Sequence, residues 1–201
     1  MLVVIDGSKY CFKTTVLDKC LNFLGNSAQL FVTKKSDTPL ITFHESGECI
    51  EHIQKETDEM LKLDNNLYFK DKTALCEPIF HEMATNKEFS VLDEHYKQLQ
   101  QAMEKQLSVS RIFIIYYDGN FNDIKELQEK QGIQNEYDEK RWNRINNYWK
   151  FEEFKSYLSP EFAERNNIQY IKLNKEDLEN PRTSINIANQ IIAYIEKEYK
   201  C

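Results

Sequence analysis

Glycine and proline are scarce, with five and four residues in a chain of 201. That leaves no material for a flexible or low-complexity linker, and the length fits one domain, expected to run 1–201 with a substantial core. No run of eighteen apolar residues occurs, so no membrane-spanning helix is expected. Met1 leads straight into an apolar stretch without the features of a secretory leader. The five cysteines (Cys11, Cys20, Cys49, Cys76, Cys201) are odd in number, scattered, and never in a C-x-x-C pair. A disulfide framework or thiolate zinc site is therefore not expected, and a reducing cytoplasm is the natural location. Positive charge is also short. A formal charge of −7 opposes nucleic-acid backbone binding as the main activity, yet leaves room for a local basic pocket around one small phosphorylated ligand.

What the chain does contain is an alternation of apolar strand-like runs with helical segments. "MLVVID" reads as a strand buried on both faces, and "KTTVLDKCLNFLG" continues it as a helix stopped by Gly25. "AQLFVTKK", "NLYFKDK", "RIFIIYYDG" and "IQYIKLN" read as four further strands. Helices are expected between them: one through Ile50, Ile53, Met60 and Leu61, a stretch from Pro78 to Leu107, a polar stretch from Phe121 to Tyr157, and "SINIANQIIAYIEKEY" at the end. Five strands with helix-length crossovers predict an α/β fold, a five-stranded parallel sheet in a three-layer α/β/α section. Ligands in such sheets sit beyond the carboxyl ends of the strands. The residues to inspect are therefore Gly7 to Thr14, Lys34 and Lys35, Asp71 and Lys72, Asp118, and Asn174.

The first of these loops, in "VVIDGSKYCFKTT", nearly matches G-x-x-x-x-G-K-[ST], the pattern whose backbone amides cradle nucleotide phosphates. Gly7, Lys13 and Thr14 fall on the first glycine, the lysine and the hydroxyl residue. Phe12 stands where the second glycine is expected, at a position where backbone usually passes close to phosphate or adopts angles a side chain resists. Gly7, Ser8, Lys9, Lys13, Thr14 and Thr15 are the candidate phosphate contacts. Lys13 is suited to neutralise β- and γ-phosphates, and Thr14 to ligate Mg²⁺. The plain alternative is a strand-to-helix turn with a solvated lysine.

The third strand adds a second motif. "DKTALCEPIFH", Asp71 to His81, resembles the D-R-[YST]-x-x-S-x-x-x-[YF]-[QH] segment of thymidylate kinases and their deoxynucleoside kinase relatives, within the P-loop NTPase superfamily. Asp71 and Lys72 take the places of that family's acidic residue and arginine, Cys76 the serine, Phe80 the aromatic residue and His81 the base-reading glutamine. "IDGSKYCFKTT" resembles the family's phosphate loop, "RIFIIYYDGNFNDIKELQEKQG" its fourth strand and lid-proximal helix, and "IQYIKLN" its last strand.

The resemblance implies phosphoryl transfer from ATP, with Mg²⁺, to a deoxynucleoside or its monophosphate. It places the donor phosphates on the first loop and the acceptor around Asp6, Asp71, Lys72, Glu77, Phe80 and His81. Thr14 and Asp71 become the metal ligands. Lys13, Lys72, Arg141 and Arg144 become the catalytic cations, the two arginines in a lid-containing region within 121–157. A homodimer is implied by resemblance alone. Besides Phe12, three departures stand out. Lys72 keeps the charge of the arginine but loses its bidentate fork, Glu126 stands where the family's lid helix commonly begins its arginines, and Lys9 replaces a usual aspartate.

These departures keep a second reading open, a weakened kinase fold serving as a nucleotide-binding or protein-interaction module. Read without the family, Asp71-Lys72 is a polar strand end and His81 a packed core histidine. Arg141 and Arg144 are then an exposed helix face.

Overall fold

The apolar run at the start of the chain sits at the centre of the sheet. The computed structural model of the protein describes residues 1–32, 46–85, 94–132, 138–164 and 167–199. Its strands are β1 (Leu2–Gly7), β2 (Ala28–Leu30), β3 (Leu67–Asp71), β4 (Arg111–Tyr117) and β5 (Ile168–Leu173). They pair in the order β2-β3-β1-β4-β5, all parallel. Every residue of β1 is buried, as a strand with parallel neighbours and helices on both faces must be. The α/β expectation therefore holds, including the strand count and direction.

Ten α-helices cover the sheet among the described residues. They are α1 (Lys13–Leu24), α2 (Ser46–Met60), α3 (Glu77–Thr85), α4 (Glu94–Ser108), α5 (Phe121–Gln131), α6 (Glu139–Tyr148), α7 (Phe151–Ser156), α8 (Pro160–Ala163), α9 (Lys175–Glu179) and α10 (Thr183–Tyr199). Side chains alternate across a strand, so β1 feeds two cores. Val3 and Ile5 pack with Val16, Cys20, Ile187 and Ile191 of α1 and α10. Leu2 and Val4 pack with Ile53, Leu99, Met103 and Tyr148 of α2, α4 and α6. No helix among the described residues is long and apolar enough to cross a membrane.

Differences from the sequence reading are local. The strand expected over "AQLFVTKK" forms a ladder only through Leu30, although the Phe31 N–H still donates to Phe69 O at 2.7 Å. Lys34 and Lys35 lie outside the described residues. The stretch from Pro78 to Leu107, open to one helix or two in the sequence, holds α3 and α4, and residues 86–93 lie outside the described residues. The short helices α8 and α9 start at side-chain caps, Ser159 on the Phe162 N–H and Asn174 in a capping box with Asp177. Such caps stabilise one or two turns that hydrophobic periodicity cannot reveal.

Chain order places the site. From β1 the chain moves outward to β2, returns to β3, and then crosses to β4 on the other side of β1. The crevice over the end of β1 is thus the topological switch point, where open parallel sheets receive ligands.

Candidate functional site

The first loop leaves the sheet at this switch point, and Gly7 shapes the exit. Its φ is +123°, and a Cβ there would meet Ile115 O at 2.0 Å. Glycine is required both by the backbone angle and by the close approach to β4. The Ser8 N–H then donates to Ile115 O at 2.9 Å, holding the loop against β4. Phe12 occupies the left-handed region at φ 57°, ψ 9°, and no side chain caps the helix that follows it. The N-terminus of α1 is therefore presented to the loop with its positive dipole end uncapped by protein side chains. The missing second glycine leaves the backbone in the conformation glycine would adopt. The Phe12 ring is half-buried against the core beneath α1.

Lys13 is buried, and its ammonium donates back to the carbonyl of Ser8. Burial pulls its pKa below the ordinary lysine value. The Cys11 thiol and the Asp6 carboxylate work against that depression, while Lys72 adds to it. Asp6 is also buried. Its Oδ1 accepts from the Gly7 N–H at 2.8 Å, and its Oδ2 accepts from the Thr73 N–H and hydroxyl at 2.8 and 2.9 Å. Burial pushes this carboxyl up to about 6, against the opposing effects of Lys13 and the three hydrogen bonds. Asp6 thus clamps the first loop to the loop after β3.

In that second loop Lys72 is exposed, with φ 63° and its N–H on Ile5 O at 3.1 Å. Asp71 Oδ2 accepts from the Thr14 hydroxyl at 3.3 Å, while its Oδ1 is buried without a hydrogen-bond partner among the described residues. Among those residues, three non-glycines have positive φ: Tyr10, Phe12 and Lys72. All three lie in the two loops that Asp6 joins. Left-handed backbone costs a non-glycine residue about 1–2 kcal/mol, and such strain gathers where a site over-determines its loops.

The remaining sequence candidates are placed as follows. The Lys9 ammonium lies 5.3 Å from the Tyr10 ring centroid, and Thr15 is exposed on α1. Glu77 opens α3 and meets His52 Nδ1 of α2 at 3.3 Å. Phe80 is half-buried on α3 against the α2–α4 core, and His81 is buried beside it in sequence. Arg141 is exposed in the first turn of α6, its backbone N–H donating to the Asp138 cap at 2.8 Å. Arg144 is bound by two carboxylates, Glu82 of α3 at 2.7 Å and Glu153 of α7. Glu82 also accepts from the Tyr157 hydroxyl at 2.8 Å.

Three features escaped the sequence reading. Thr73 lies inside the quoted motif, but its partner Asp6 is distant in sequence. Lys70 is a buried cation in β3, paired at 3.0 Å with Glu56, whose other oxygen accepts from the Ala74 N–H at 2.6 Å and from Gln106 at 2.8 Å. This network holds the start of the turn after β3. A lysine between Phe69 and Asp71 in an otherwise apolar strand was the available signal. The third is Asn146 of α6, whose Oδ1 accepts from the Ser8 hydroxyl. Nothing local marks it.

No family model matches the chain, and no curated protein matches it in sequence. Solved structures do match. One is the YorR protein of Bacillus subtilis in complex with phosphorylated GDP, with 18% identity and a TM-score of 0.56, over 100% of this chain and 99% of that one. Another is deoxyadenosine kinase from M. mycoides with products dCMP and a flexible dCDP, with 17% identity and a TM-score of 0.55, over 96% of this chain and all of that one. Together with the all-parallel sheet and its strand order, these similarities show that the chain has the P-loop kinase-like fold.

Proposed function

We propose that the protein transfers a phosphoryl group from ATP to a deoxynucleoside or a deoxynucleoside monophosphate. The observation that carries this reading is the strained double loop at the switch point, with the buried Lys13 in it and the uncapped N-terminus of α1 behind it. Phosphoryl transfer is mostly positioning and charge neutralisation, and the parts at hand suit both. In this reading Lys13 leaves the Ser8 carbonyl for the donor phosphates. Gly7, Ser8, Lys9 and Thr15 frame those phosphates.

The Thr14 hydroxyl and the Asp71 carboxylate, with its unpartnered Oδ1, are hard oxygen donors that fit Mg²⁺. No group of three or more metal-ligating side chains exists among the described residues, which suits a cation bound by one or two protein oxygens plus phosphate. Lys72 is the cation on the acceptor side. Glu77, Phe80 and His81 are the residues assigned to the acceptor, and Arg141 to lid closure. Arg144 can serve as a lid cation only by leaving Glu82 and Glu153.

Thermal unfolding with Mg²⁺-ATP, and with each deoxynucleoside and its monophosphate, tests the proposal, because a ligand selective for the native state raises the melting temperature. Shifts with ATP and one acceptor, followed by turnover in a coupled assay, are expected. A shift without turnover would favour the second reading, a nucleotide-binding module. Silence with every ligand would overturn the nucleotide reading itself.

A further inference from the structure

Ser8 is fully buried and held at three atoms. Its N–H donates to Ile115 O of β4, its carbonyl accepts from Lys13, and its hydroxyl donates to Asn146 Oδ1 of α6 at 2.5 Å. Asn146 is 2% exposed and grips the end of β4 as well. Its Oδ1 accepts from the Tyr117 N–H at 3.3 Å, and its Nδ2 donates to Tyr117 O at 2.9 Å. A primary amide suits this place because it accepts from a hydroxyl and an N–H while donating to a carbonyl. A carboxylate there would set oxygen against the Tyr117 carbonyl.

The helix carrying Asn146 is itself anchored. Trp142 packs on Phe121 and Tyr117 at ring-centroid distances of 5.7 and 6.3 Å, and Arg144 binds Glu82 of α3. Beyond Ser8 the loop runs through left-handed Tyr10 and Phe12, a course that persists only when its surroundings over-determine it.

We infer that Asn146 is a positioning residue for the first loop. It holds Ser8, and through the Ser8 carbonyl the resting place of the Lys13 ammonium, so the phosphate-receiving shape of the loop is set from α6. The inference rests on the phosphate-binding role proposed for that loop.

Asn146→Ala, Ser8→Ala and the double variant, made in the full chain, test it. Calorimetry gives the affinity for Mg²⁺-ATP and for inorganic tripolyphosphate, which probes the loop without base or sugar. Hydrogen exchange reports the amides from Ser8 to Lys13 against those of β1 and α10. Loss of the Ser8–Asn146 bond, which both single variants share, is expected to weaken both probes in parallel by about tenfold, Asn146→Ala also releasing its two bonds to Tyr117. The double variant should be no worse than the worse single one. Exchange should quicken in the loop but not in β1 or α10, a pattern that general destabilisation does not produce. Should Asn146→Ala fail to fold, Ser8→Ala removes the same bond from a smaller side chain. Unchanged affinities with unchanged loop exchange, or losses that add, would overturn the inference. A wild-type chain that binds neither probe would sink the phosphate reading. Loop exchange alone would then decide the role of Asn146, with quickening upholding it and no change overturning it.

Discussion

Asp6 Oδ2 accepts both the backbone N–H and the hydroxyl of Thr73, a residue 67 positions further along the chain. These two bonds join the loop after β1 to the loop after β3, the two segments assigned to donor and acceptor. Removing the hydroxyl while keeping the shape, as in Thr73→Val, leaves a buried carboxylate one donor short. The expected loss is about 1–3 kcal/mol in urea unfolding. A loss below about 0.5 kcal/mol, the usual size of a surface change, would mean that the clamp is made by the backbone bond alone.

The same carboxyl predicts a pH dependence. Its pKa is raised to about 6 from an ordinary 3.8, so between those values the folded chain holds a proton that the unfolded chain has released. Stability from this group is therefore highest at the acid end and falls as pH rises from about 4 to about 6, by up to roughly 3 kcal/mol. The comparison to make is the unfolding free energy of wild type and Asp6→Asn across that window. The difference between them should slope, and a flat difference would show that Asp6 titrates normally.

Lys13 is a buried ammonium whose charged form is disfavoured by burial. Lys13→Met removes the desolvation cost of the ammonium but leaves the Ser8 carbonyl without its donor and the buried Asp6 carboxyl without its neighbouring cation, so a loss of stability is expected in the ligand-free chain. It should also reduce kcat/KM at least about a hundredfold, the scale for losing a charge-stabilising group in the transition state. Retained turnover would remove Lys13 from the donor site.

Phe12 already adopts the left-handed backbone that glycine would take. Phe12→Gly relieves about 1–2 kcal/mol of backbone strain while losing the packing of a half-buried ring, so a net stability change within about 1 kcal/mol is expected, with ATP affinity within about threefold. Phe12→Val keeps an apolar residue but adds β-branching at positive φ, and should be the more damaging change. A severalfold gain in ATP affinity for the glycine variant would show instead that the ring impairs the donor loop.

Arg144 carries two roles that stability and turnover can separate. Arg144→Ala takes the guanidinium away from the buried Glu82 carboxylate, and a loss of about 2 kcal/mol or more is expected. Adding Glu82→Gln should recover part of it. If Arg144 is also a lid cation, the double variant will regain stability but not turnover. Recovery of both would make its role purely structural.

The central strand, the parallel sheet and the first loop were legible in the sequence because they depend on local pattern. A short apolar run flanked by helical segments reads as a strand buried on both faces. Likewise Gly7, Lys13 and Thr14 keep a spacing that one strand-loop-helix imposes. Phe12 read as an obstacle, because its backbone angle could not be known. The tertiary structure shows that the angle is the glycine-like one. Thr73, Asn146 and the Lys70–Glu56 pair were not legible for a different reason. Each acts through a partner from another part of the chain, 138 positions away for Asn146 and Ser8, and no local periodicity records which distant side chains the fold will bring together. The charge on Arg144 was visible in the sequence. The two carboxylates that bind it were decided by the packing of α3, α6 and α7.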